Sequence, residues 1–444
     1  MSIRMHFRVA AGAAAFALLL TGCSGTNSAG STQSPGSAAT GEVTGALKIT
    51  WWGGTTRDVK TGGVIDMFVK AHPGVVPETD SPVWNDYFTK LNVQAASKTL
   101  PCVVQLQNRQ IADYVKSKSV MPLDDLVASG AINVTDIPKG VVDAGRGADG
   151  KLYFLPYGLA YDAMAVNTSL AAKSGIIVPA KGYTWDDFFA WVSAAQPKLP
   201  SGDSAVAGLG GQANLFVDWV YANGSDPFTK DGKIAFSKDV MTKYWNSWEK
   251  LRKEGATLPP DKVAEEPSAP EGTFFAKGTV LASSFGGNRI AAVQNTLTGI
   301  DPNGKVTPML LPTGSGSGGN PLYASGFAIS QNCKNVPTAA AFISFFTNDL
   351  NAGVFFAADN GGPSNTKVLN ALLASTDLPA ATKSDLSLYE EIANNNPSHI
   401  VFPAGYQAQF DASFKRNYDA VSFGQMSVAQ AVDTFFSEVN SSLG

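Results

Sequence analysis

The sequence predicts an α/β protein of two domains, and three observations lead to this interpretation. The chain has 444 residues, of which 44% are hydrophobic and 16% charged, an ordinary globular composition for two domains. Strand and helix signals alternate with short connections over 47–106, which is the pattern of a parallel sheet. Pro156 then fixes φ within the aromatic stretch 151–167, which indicates a crossing from one domain to the other.

The first 22 residues have the pattern of a cleaved signal peptide. Arg4 and Arg8 form a basic start, and 9–20 is an apolar run too short to span ~30 Å of hydrocarbon as a helix. The sequence Leu-Thr-Gly-Cys that ends at Cys23 resembles the bacterial lipobox, whose cysteine sulfur is acylated before the peptide is removed. We therefore predict a signal peptide over 1–22, a lipid on Cys23 and an extracytoplasmic protein anchored to the cell membrane.

Residues 23–45 are expected to form a flexible tether. They are almost all Gly, Ser, Thr, Ala, Asn, Gln and Pro, and this composition buries too little apolar surface to fold. Loss of 1–22 removes Arg4 and Arg8 and changes the formal net charge from −4 to −6. An acidic chain without a basic stripe is not expected to bind nucleic acid, and only the lipid on Cys23 is expected to hold it to the membrane.

The first domain is predicted to begin with three strands joined by two helices. The strands are expected at 47–52, 75–78 and 100–106, and the helices at 58–71 and 84–97. Ligands of open α/β sheets bind beyond the carboxyl ends of the strands. The candidates there are Trp52, Gly53, Thr55, Arg57, Gln107 and Asn108. Other roles stay open: packing for Trp52, a surface charge for Arg57 and a backbone cap for Gln107.

The crossing supplies a second group of candidates. A short strand over 151–155 is predicted to end abruptly at Pro156. The polar and flexible residues that follow are Tyr157, Gly158, Tyr161 and Asp162. Two phenols, a carboxylate and exposed backbone can hold a polar, ring-shaped ligand. The same residues also fit a tyrosine-rich core strand, so both interpretations remain open.

The rest of the chain predicts a second α/β domain. Thr184 is expected to cap a helix that runs to 195, and a helix after 210–211 is expected to share Phe216 and Trp219 between core and ligand wall. A strand over 279–284 leads into Phe285, Gly286, Gly287 and Asn288, where glycine lets backbone approach a ligand. Residues 208–213 loosely fit the fingerprint of a dinucleotide-binding site. The acidic residue at the expected distance lies in a predicted turn, so no cofactor is predicted.

Eight short motifs in order carry a resemblance to a known family. They are WWGG at 51–54, FVKAHPGV at 68–75, LPxVVQL at 100–106, GKLYFLPYG at 150–158, TWDDF at 184–188, FxKGT at 275–279, SGFAIS at 325–330 and AAAFISFF at 339–346. Together they resemble the extracellular solute-binding proteins of ABC importers, specifically the large carbohydrate-binding family that includes maltose-binding proteins. The likeness covers 46 to about 430.

The resemblance implies a fold and its boundaries. The expected fold is the type II periplasmic-binding-protein fold, in which two α/β lobes enclose a ligand cleft and the chain crosses between them three times. Lobe one would be 46–156 plus 312–364, and lobe two 160–308 plus 368–444. The implied partners are a carbohydrate, most simply an oligosaccharide, and the membrane subunits of an ABC permease, with a monomeric protein and neither cofactor nor metal.

The resemblance also implies which side chains face or border the cleft. They are Trp52, Thr55, Trp84, Asn85, Gln107, Asn108, Tyr157, Tyr161, Trp219, Gly286, Gly287, Asn288, Tyr323 and Asn360. Aromatic faces stack on the C–H side of pyranose rings, while amides, hydroxyls and charged groups bind the sugar hydroxyls.

One position departs from the family's pattern. The family commonly has Pro-Asp before the third strand, where this chain has Pro101 and Cys102. In that fold the strand at 323–330 runs antiparallel beside the third strand, so the resemblance brings Cys102 near Cys333. We therefore expect a disulfide at the outer edge of lobe one, away from the cleft, if the two Cα atoms lie within ~7 Å.

Two other functions remain open at this point. An extracytoplasmic lipoprotein glycosidase would use paired carboxylates, with Asp162 as the main candidate, but spacing places no partner acid and no metal-ligand cluster or G-x-S-x-G motif occurs. A docking or adhesion lipoprotein with a vestigial cleft would show no response to small molecules. The main prediction is binding without chemistry, in which lobe closure around a sugar is recognised by the importer.

Overall fold

The computed structural model describes residues 41–443 except 268, 317–319 and 396–398. The predicted signal peptide, Cys23 and most of the tether therefore lie outside the described residues. In the described part of the chain, no helix is both long enough and apolar enough to cross a membrane.

Nine strands form one continuous sheet within the described residues. They are β1 Gly45–Thr50, β2 Val75–Asp80, β3 Val103–Gln107, β4 Leu155–Asn167, β5 Ser204–Val206, β6 Val280–Gly286, β7 Val306–Leu310, β8 Leu322–Ile329 and β9 Gly362–Pro363. The strand order is β2-β1-β3-β8-β4-β6-β5, with β7 and β9 also paired with β4. β1 pairs in parallel with β2 and β3, as the alternating pattern predicted.

Helices alternate with these strands along the chain and pack against them. Their bounds are α1 Thr55–Ala71, α2 Trp84–Ala96, α3 Ile111–Lys116, α4 Asp124–Ala128, α5 Lys139–Asp143, α6 Thr168–Lys173, α7 Trp185–Ala195, α8 Ala213–Ala222, α9 Lys238–Lys253, α10 Pro260–Glu265, α11 Ile290–Ile300, α12 Val336–Asn348, α13 Leu350–Phe356, α14 Thr366–Ala374, α15 Ala380–Asn394, α16 Ala412–Ser422 and α17 Val428–Asn440. A π-helical turn, Tyr406–Asp411, leads into α16. The predicted cap of α7 is confirmed, because Thr184 and Asp187 form a reciprocal capping box.

Buried apolar side chains form two clusters, one on each half of the sheet. The first is built from 47–163 and 322–393, and the second from 164–311 and 400–443 together with Tyr323. We call these parts lobe one and lobe two. The segment 368–393, expected in lobe two, contributes its apolar side chains to the cluster of lobe one. Helix α15 within it also contacts α11 and β7, so it touches both lobes.

The strand at the crossing differs from its prediction. The predicted strand ended at 155, whereas β4 begins at Leu155 and runs through Pro156 to Asn167. Pro156 is tolerated because its fixed φ suits an extended chain, and the register with β8 shifts between Pro156 and Gly158. The proline thus marks a bulge and not an end. The first part of β4 pairs with β8, and its last part pairs with β6 and β7, so one strand carries the chain between lobes.

The antiparallel pairing of β3 with β8 explains the cysteine pair. Val103 lies opposite Ile329, so the residue before β3 lies close to the residues after β8. Cys102 and Cys333 form a disulfide there, with Cα atoms 4.5 Å apart. This is the pair that the family resemblance suggested.

Candidate functional site

The lobe-one wall of the candidate site lies at the carboxyl end of β1. An open pocket of about 500 Å³ is lined by Trp52, Gly53, Gly54, Thr55, Thr56, Arg57, Trp84 and Asp359. Trp52 is only 4% exposed and meets Trp84 edge to face, with ring centroids 5.1 Å apart. Trp84 is 39% exposed. Trp84 therefore offers the accessible aromatic surface, and Trp52 supports it from below.

Arg57 fixes the far side of this pocket. Its Nε donates to Asp359 Oδ2 at 2.7 Å, and its Nη2 donates to the Asp359 carbonyl oxygen at 2.9 Å. The start of α1 is thereby tied to the loop before β9. The strand-end rule thus brings four predicted residues together with Trp84; the side chain of Asn85 lies outside the described residues.

Arg109, which the sequence analysis did not select, lies where the two lobes meet. It follows β3, and its guanidinium carbon lies 4.1 Å from the centre of the Tyr323 ring. The Asn214 amide is oriented to match its hydrogen-bonding neighbours. The Asn214 side-chain oxygen accepts from both terminal nitrogens of Arg109 at 2.9 Å, and the Asn214 side-chain nitrogen donates to the Tyr406 hydroxyl at 2.9 Å. Arg109 belongs to lobe one and Asn214 to α8 of lobe two, so this contact joins the lobes.

Carboxyl groups surround this arginine. The Tyr323 hydroxyl donates to Asp218 Oδ1. The carboxyl groups of Asp162 and Asp218 lie close enough for the charge of one to act on the other. Burial raises the pKa of Asp218 well above its ordinary value, and the charge of Asp162 raises it further. Burial also raises the pKa of Asp162, and Arg109 opposes that shift.

A second direct contact joins the lobes close to this network. The backbone N–H of Gly405 in lobe two donates to Asp113 Oδ1 in lobe one at 2.9 Å. Separation of the lobes would break this hydrogen bond as well as the contact of Arg109 with Asn214. The lobes are therefore held together on this side of the site.

The lobe-two wall is a cavity of about 440 Å³. It is lined by Asp162, 207–214, Trp248, Arg252, parts of 257–273, 283–286, Arg289, Asp411, Lys415, Tyr418, Asp419, Ser422 and Phe423. Glycine is needed along one side. A Cβ on Gly208 would lie 2.3 Å from Val263, and one on Gly210 would lie 2.2 Å from Tyr418. Gly208, Gly210 and Gly211 therefore present bare backbone to the cavity.

Some predicted residues lie on this second wall. Asp162, Phe285 and Gly286 line the cavity. Gly287 lies behind it, where a Cβ would come within 2.5 Å of both Asp385 and Tyr161. Tyr161 is buried and donates to Asp385 Oδ1 at 2.6 Å, so it supports the strand and does not face the cavity. The side chain of Asn288 lies outside the described residues.

Other predicted residues are buried behind the site. Tyr157 stacks on Phe327, with ring centroids 4.9 Å apart, and its hydroxyl accepts from Gln105 and from Asn360 Nδ2. Trp219 is stacked on Phe216 in the core of lobe two, and neither lines the cavity. Hence these aromatic rings hold elements in place.

Two amides at the end of β3 bind the neighbouring strand, β8. Asn108 Nδ2 donates to the Leu322 carbonyl oxygen at 3.3 Å, and Gln107 Nε2 donates to Ser325 Oγ at 3.3 Å. Both contacts hold the end of β3 against β8. They fix the position from which Arg109 reaches lobe two.

A family profile that matches most of this chain identifies its family. The profile of the bacterial extracellular solute-binding protein family matches residues 63–383. The chain belongs to this family. Its fold is the two-lobe periplasmic-binding-protein fold of solute-binding proteins, and the family works outside the cytoplasm.

Solved structures of other solute-binding proteins share the fold. An extracellular solute-binding protein family 1 member from Alicyclobacillus acidocaldarius has 23% identity and a TM-score of 0.72, with 90% of this chain and 99% of that chain covered. An ABC substrate-binding protein from Listeria monocytogenes in complex with cycloalternan has 16% identity and a TM-score of 0.73, covering 89% and 98%. A Streptomyces glaucescens receptor, solved unliganded and with acarbose, has 18% identity and a TM-score of 0.70, covering 89% and 97%.

Proposed function

We propose that this solute-binding protein is the lipid-anchored substrate-binding component of an ABC importer. It captures a carbohydrate, most simply an oligosaccharide, between its lobes and delivers it to the membrane permease. The lipid would be carried by Cys23. The observations that carry the proposal are an exposed aromatic surface, Trp84 over Trp52, at the carboxyl end of β1, and a dense polar network where the two lobes meet.

This combination suits a sugar better than it suits an apolar or a strongly charged solute. An indole face can stack on the C–H side of a pyranose ring. Among the residues that line the lobe-two cavity, Asn214 and Arg289 carry donors, and Asp162 and Asp411 carry acceptors, for the outward-pointing hydroxyls. The sugar complexes of the Listeria and Streptomyces relatives support the same substrate class.

Capture is proposed to work by closure of the cleft. A sugar that contacts both lobes favours the closed form, which the permease then recognises. A micromolar site corresponds to roughly 8 kcal/mol, which a few stacked rings and several hydrogen bonds can supply.

The carboxyl pair favours binding over hydrolysis. Glycosidases place their two carboxyl groups roughly 5–9.5 Å apart, on either side of the scissile bond. Asp162 lines the cavity, whereas Asp218 does not line it and accepts from the Tyr323 hydroxyl, so the two carboxyl groups are not presented on opposite sides of a bound sugar. We therefore propose that the bound sugar leaves the cleft unchanged.

Thermal unfolding tests this function. Residues 46–444, stripped of ligand, would be unfolded with mono- and oligosaccharides, polyols, peptides and amino acids. Ligand at a hundred times its dissociation constant adds about 2.7 kcal/mol, a shift of a few degrees. We expect a selective shift with an intact saccharide. A shift with peptides or amino acids alone, or with no compound, would contradict the proposal, and consumption of the sugar during long incubation would favour the glycosidase.

A further inference from the structure

One face of α16 forms a long side of the lobe-two cavity. The lining residues on this helix and at its two ends recur every three or four positions. They are Asp411, Lys415, Tyr418, Asp419, Ser422 and Phe423. Residues with this spacing share one face of a helix. At a rise of about 1.5 Å per residue, the face is roughly 18 Å long, which is more than one sugar ring can span.

The two ends of this face lie in different surroundings. Burial raises the pKa of Asp411, and the charge of Arg109 opposes that shift. Asp411 is therefore close to the polar network where the lobes meet. Phe423 directly follows α16 at the opposite end and is 50% exposed. A ligand that follows this face away from the lobe boundary therefore reaches an accessible aromatic ring.

The backbone at Phe423 is fixed by the way α16 ends. Gly424 has a φ of +72°, a conformation that glycine adopts without strain. The Gly424 N–H donates to the Val421 carbonyl oxygen at 2.9 Å, and the Gln425 N–H donates to the Ala420 carbonyl oxygen at 2.8 Å. These two hydrogen bonds form a Schellman motif. Phe423 is thus held at a defined position beside the cavity.

Polar groups line the cavity between its two ends. Lys415 Nζ donates to Asp419 Oδ2 at 2.5 Å along the face of α16. Arg252 on α9 lines the same cavity and is held by two hydrogen bonds to Glu249, at 2.8 and 2.7 Å. Gly211 lies beside this row, since a Cβ on it would be 3.8 Å from Asp419 Oδ1. Charged side chains and bare backbone offer partners for the hydroxyls of further sugar units.

Phe423 is unusual among the aromatic residues of the described chain. The most exposed of these are Phe423 at 50%, Phe355 at 42% and Trp84 at 39%. Trp84 lines the lobe-one pocket and Phe423 the lobe-two cavity, whereas Phe355 lines neither. A single exposed ring is ordinary on a protein surface. A ring at the end of a polar cavity can stack on the C–H side of a sugar while nearby polar groups bind its hydroxyls.

We propose that the lobe-two cavity holds successive units of one oligosaccharide along α16, and that Phe423 binds the unit farthest from the lobe boundary. This inference rests on the proposed function and specifies its substrate class as a saccharide of several units. The polar network at the lobe boundary then recognises one end of the sugar, and Phe423 makes the affinity depend on chain length.

Saccharides of increasing length test the inference by calorimetry. The probes are the one- to four-unit members of the malto-, cello- and xylo-oligosaccharide series, titrated into the ligand-stripped protein. In at least one series, we expect an added unit to tighten binding about tenfold, as one stacked ring can. If affinity did not rise with length in any series that binds, the inference would be overturned and the proposed function would stand. Absence of binding by every saccharide would count against both.

Substitution of Phe423 locates the length dependence. Phe423→Ala should weaken the binding of the longest saccharide about tenfold more than that of the shortest member that binds, because it removes the ring at the far end. Phe423→Leu should do the same, and it serves as the second variant if the alanine variant is unstable. Phe423→Trp should keep the length dependence, since it keeps an aromatic face.

Met426→Ala is the matched control for Phe423. Met426 is 38% exposed at the same helix end, where its N–H donates to the Ala420 carbonyl oxygen, and it does not line the cavity. This variant should bind every member of the series as the wild type does. The role of Phe423 is overturned if its alanine and leucine variants lose the same affinity at every length, or lose none.

Discussion

Trp84 shows how one side chain can decide binding at the lobe-one wall. It presents 39% of its surface beside the nearly buried Trp52, so it is the ring that a sugar can reach. We predict that Trp84→Ala weakens saccharide binding about tenfold or more, the loss expected when a stacked ring is removed from an interface. Calorimetric titration with the saccharide found by thermal unfolding measures this.

Val83→Ala is the matched control for Trp84. Val83 is the preceding residue and is 56% exposed, but it does not line the pocket. We expect the saccharide dissociation constant of the Val83→Ala variant to stay within about twofold of that of the wild type, because isolated surface substitutions have small effects. Equal losses in the two variants would show that Trp84 acts through the start of α2 and not through contact with the ligand.

Asp385 gives the protein a pH dependence that can be assigned to one group. Burial raises the pKa of Asp385 to about 6, against the hydrogen bond from Tyr161 that lowers it. A raised pKa means that the stabilising contribution is complete below pH 4 and is lost as pH rises through about 6. Wild type should therefore lose about 2 kcal/mol of unfolding free energy between pH 4 and pH 6 through this group.

Asp385→Asn tests that assignment. Asparagine can still accept from Tyr161 but does not ionise, so the slope of unfolding free energy against pH should flatten between pH 4 and 6. Denaturant unfolding across that range measures the slope, and Asp377→Asn, an exposed acid nearby, should keep the wild-type slope. A variant that retains the full slope would disprove the role of Asp385.

The site residues that the sequence predicted differ from those that it did not predict in how far away along the chain their partners lie. Trp52, Thr55 and Arg57 were predicted because the end of a strand fixes their position through local geometry alone. Arg109 was missed because its partners, such as Asn214 and Tyr323, are more than a hundred positions away in the chain. A buried polar network is set by tertiary packing, and neither spacing nor composition reveals it.

At the scale of elements, the bulge in β4 sets the path between the lobes. Gly158 lies at the register shift, and a Cβ there would come within 2.5 Å of the Asn360 carbonyl oxygen. We predict that Gly158→Ala destabilises the protein by about 1–3 kcal/mol, because β9 and its loop must move aside. Denaturant unfolding monitored by tryptophan fluorescence measures the change.

Gly62→Ala provides the control for Gly158. Gly62 lies inside α1, and nothing lies within 4 Å of the position of its Cβ. The same substitution should stabilise the protein there, by roughly 0.5–1 kcal/mol, through helix propensity. If Gly158→Ala and Gly62→Ala changed the free energy of unfolding in the same direction, the close approach of Gly158 to the Asn360 carbonyl oxygen would not be the cause.

Elements were predicted well where local signals decide them and less well where pairing decides them. The strand at 75–78, the helix at 84–97 and the cap at Thr184 rest on turns, β-branched residues and capping, and all three occur within about two residues of the expected bounds. β4 was misplaced because Pro156 stops most strands, whereas here the bulge lets the sheet absorb it. Sequence alone does not show which neighbouring strand will tolerate that irregularity.

At the scale of the whole molecule, Arg109 links the two lobes. Replacing it with methionine removes the contact with Asn214 and leaves the carboxyl groups around it without their cation. We predict that Arg109→Met loosens the closed arrangement, increases the radius of gyration of the ligand-free protein and lowers its unfolding free energy by about 3 kcal/mol. Small-angle X-ray scattering measures the first change and denaturant unfolding the second.

Arg146→Met distinguishes loss of the lobe contact from loss of any ion pair. Arg146 binds Asp143 and Asp124, which are all in lobe one. Its variant should keep the wild-type radius of gyration, since no contact between lobes is removed. The account of Arg109 fails if both variants expand the protein equally, or if neither does.

The central claim is that a sugar binds between the lobes and leaves unchanged. Calorimetric titration of ligand-stripped protein with oligosaccharides, followed by chromatography of the recovered sugar, tests it most directly. We predict one site per chain with a micromolar dissociation constant, about −8 kcal/mol, and an intact sugar afterwards. The account would be contradicted if no saccharide gave heat on titration, or if the sugar were recovered as shorter fragments.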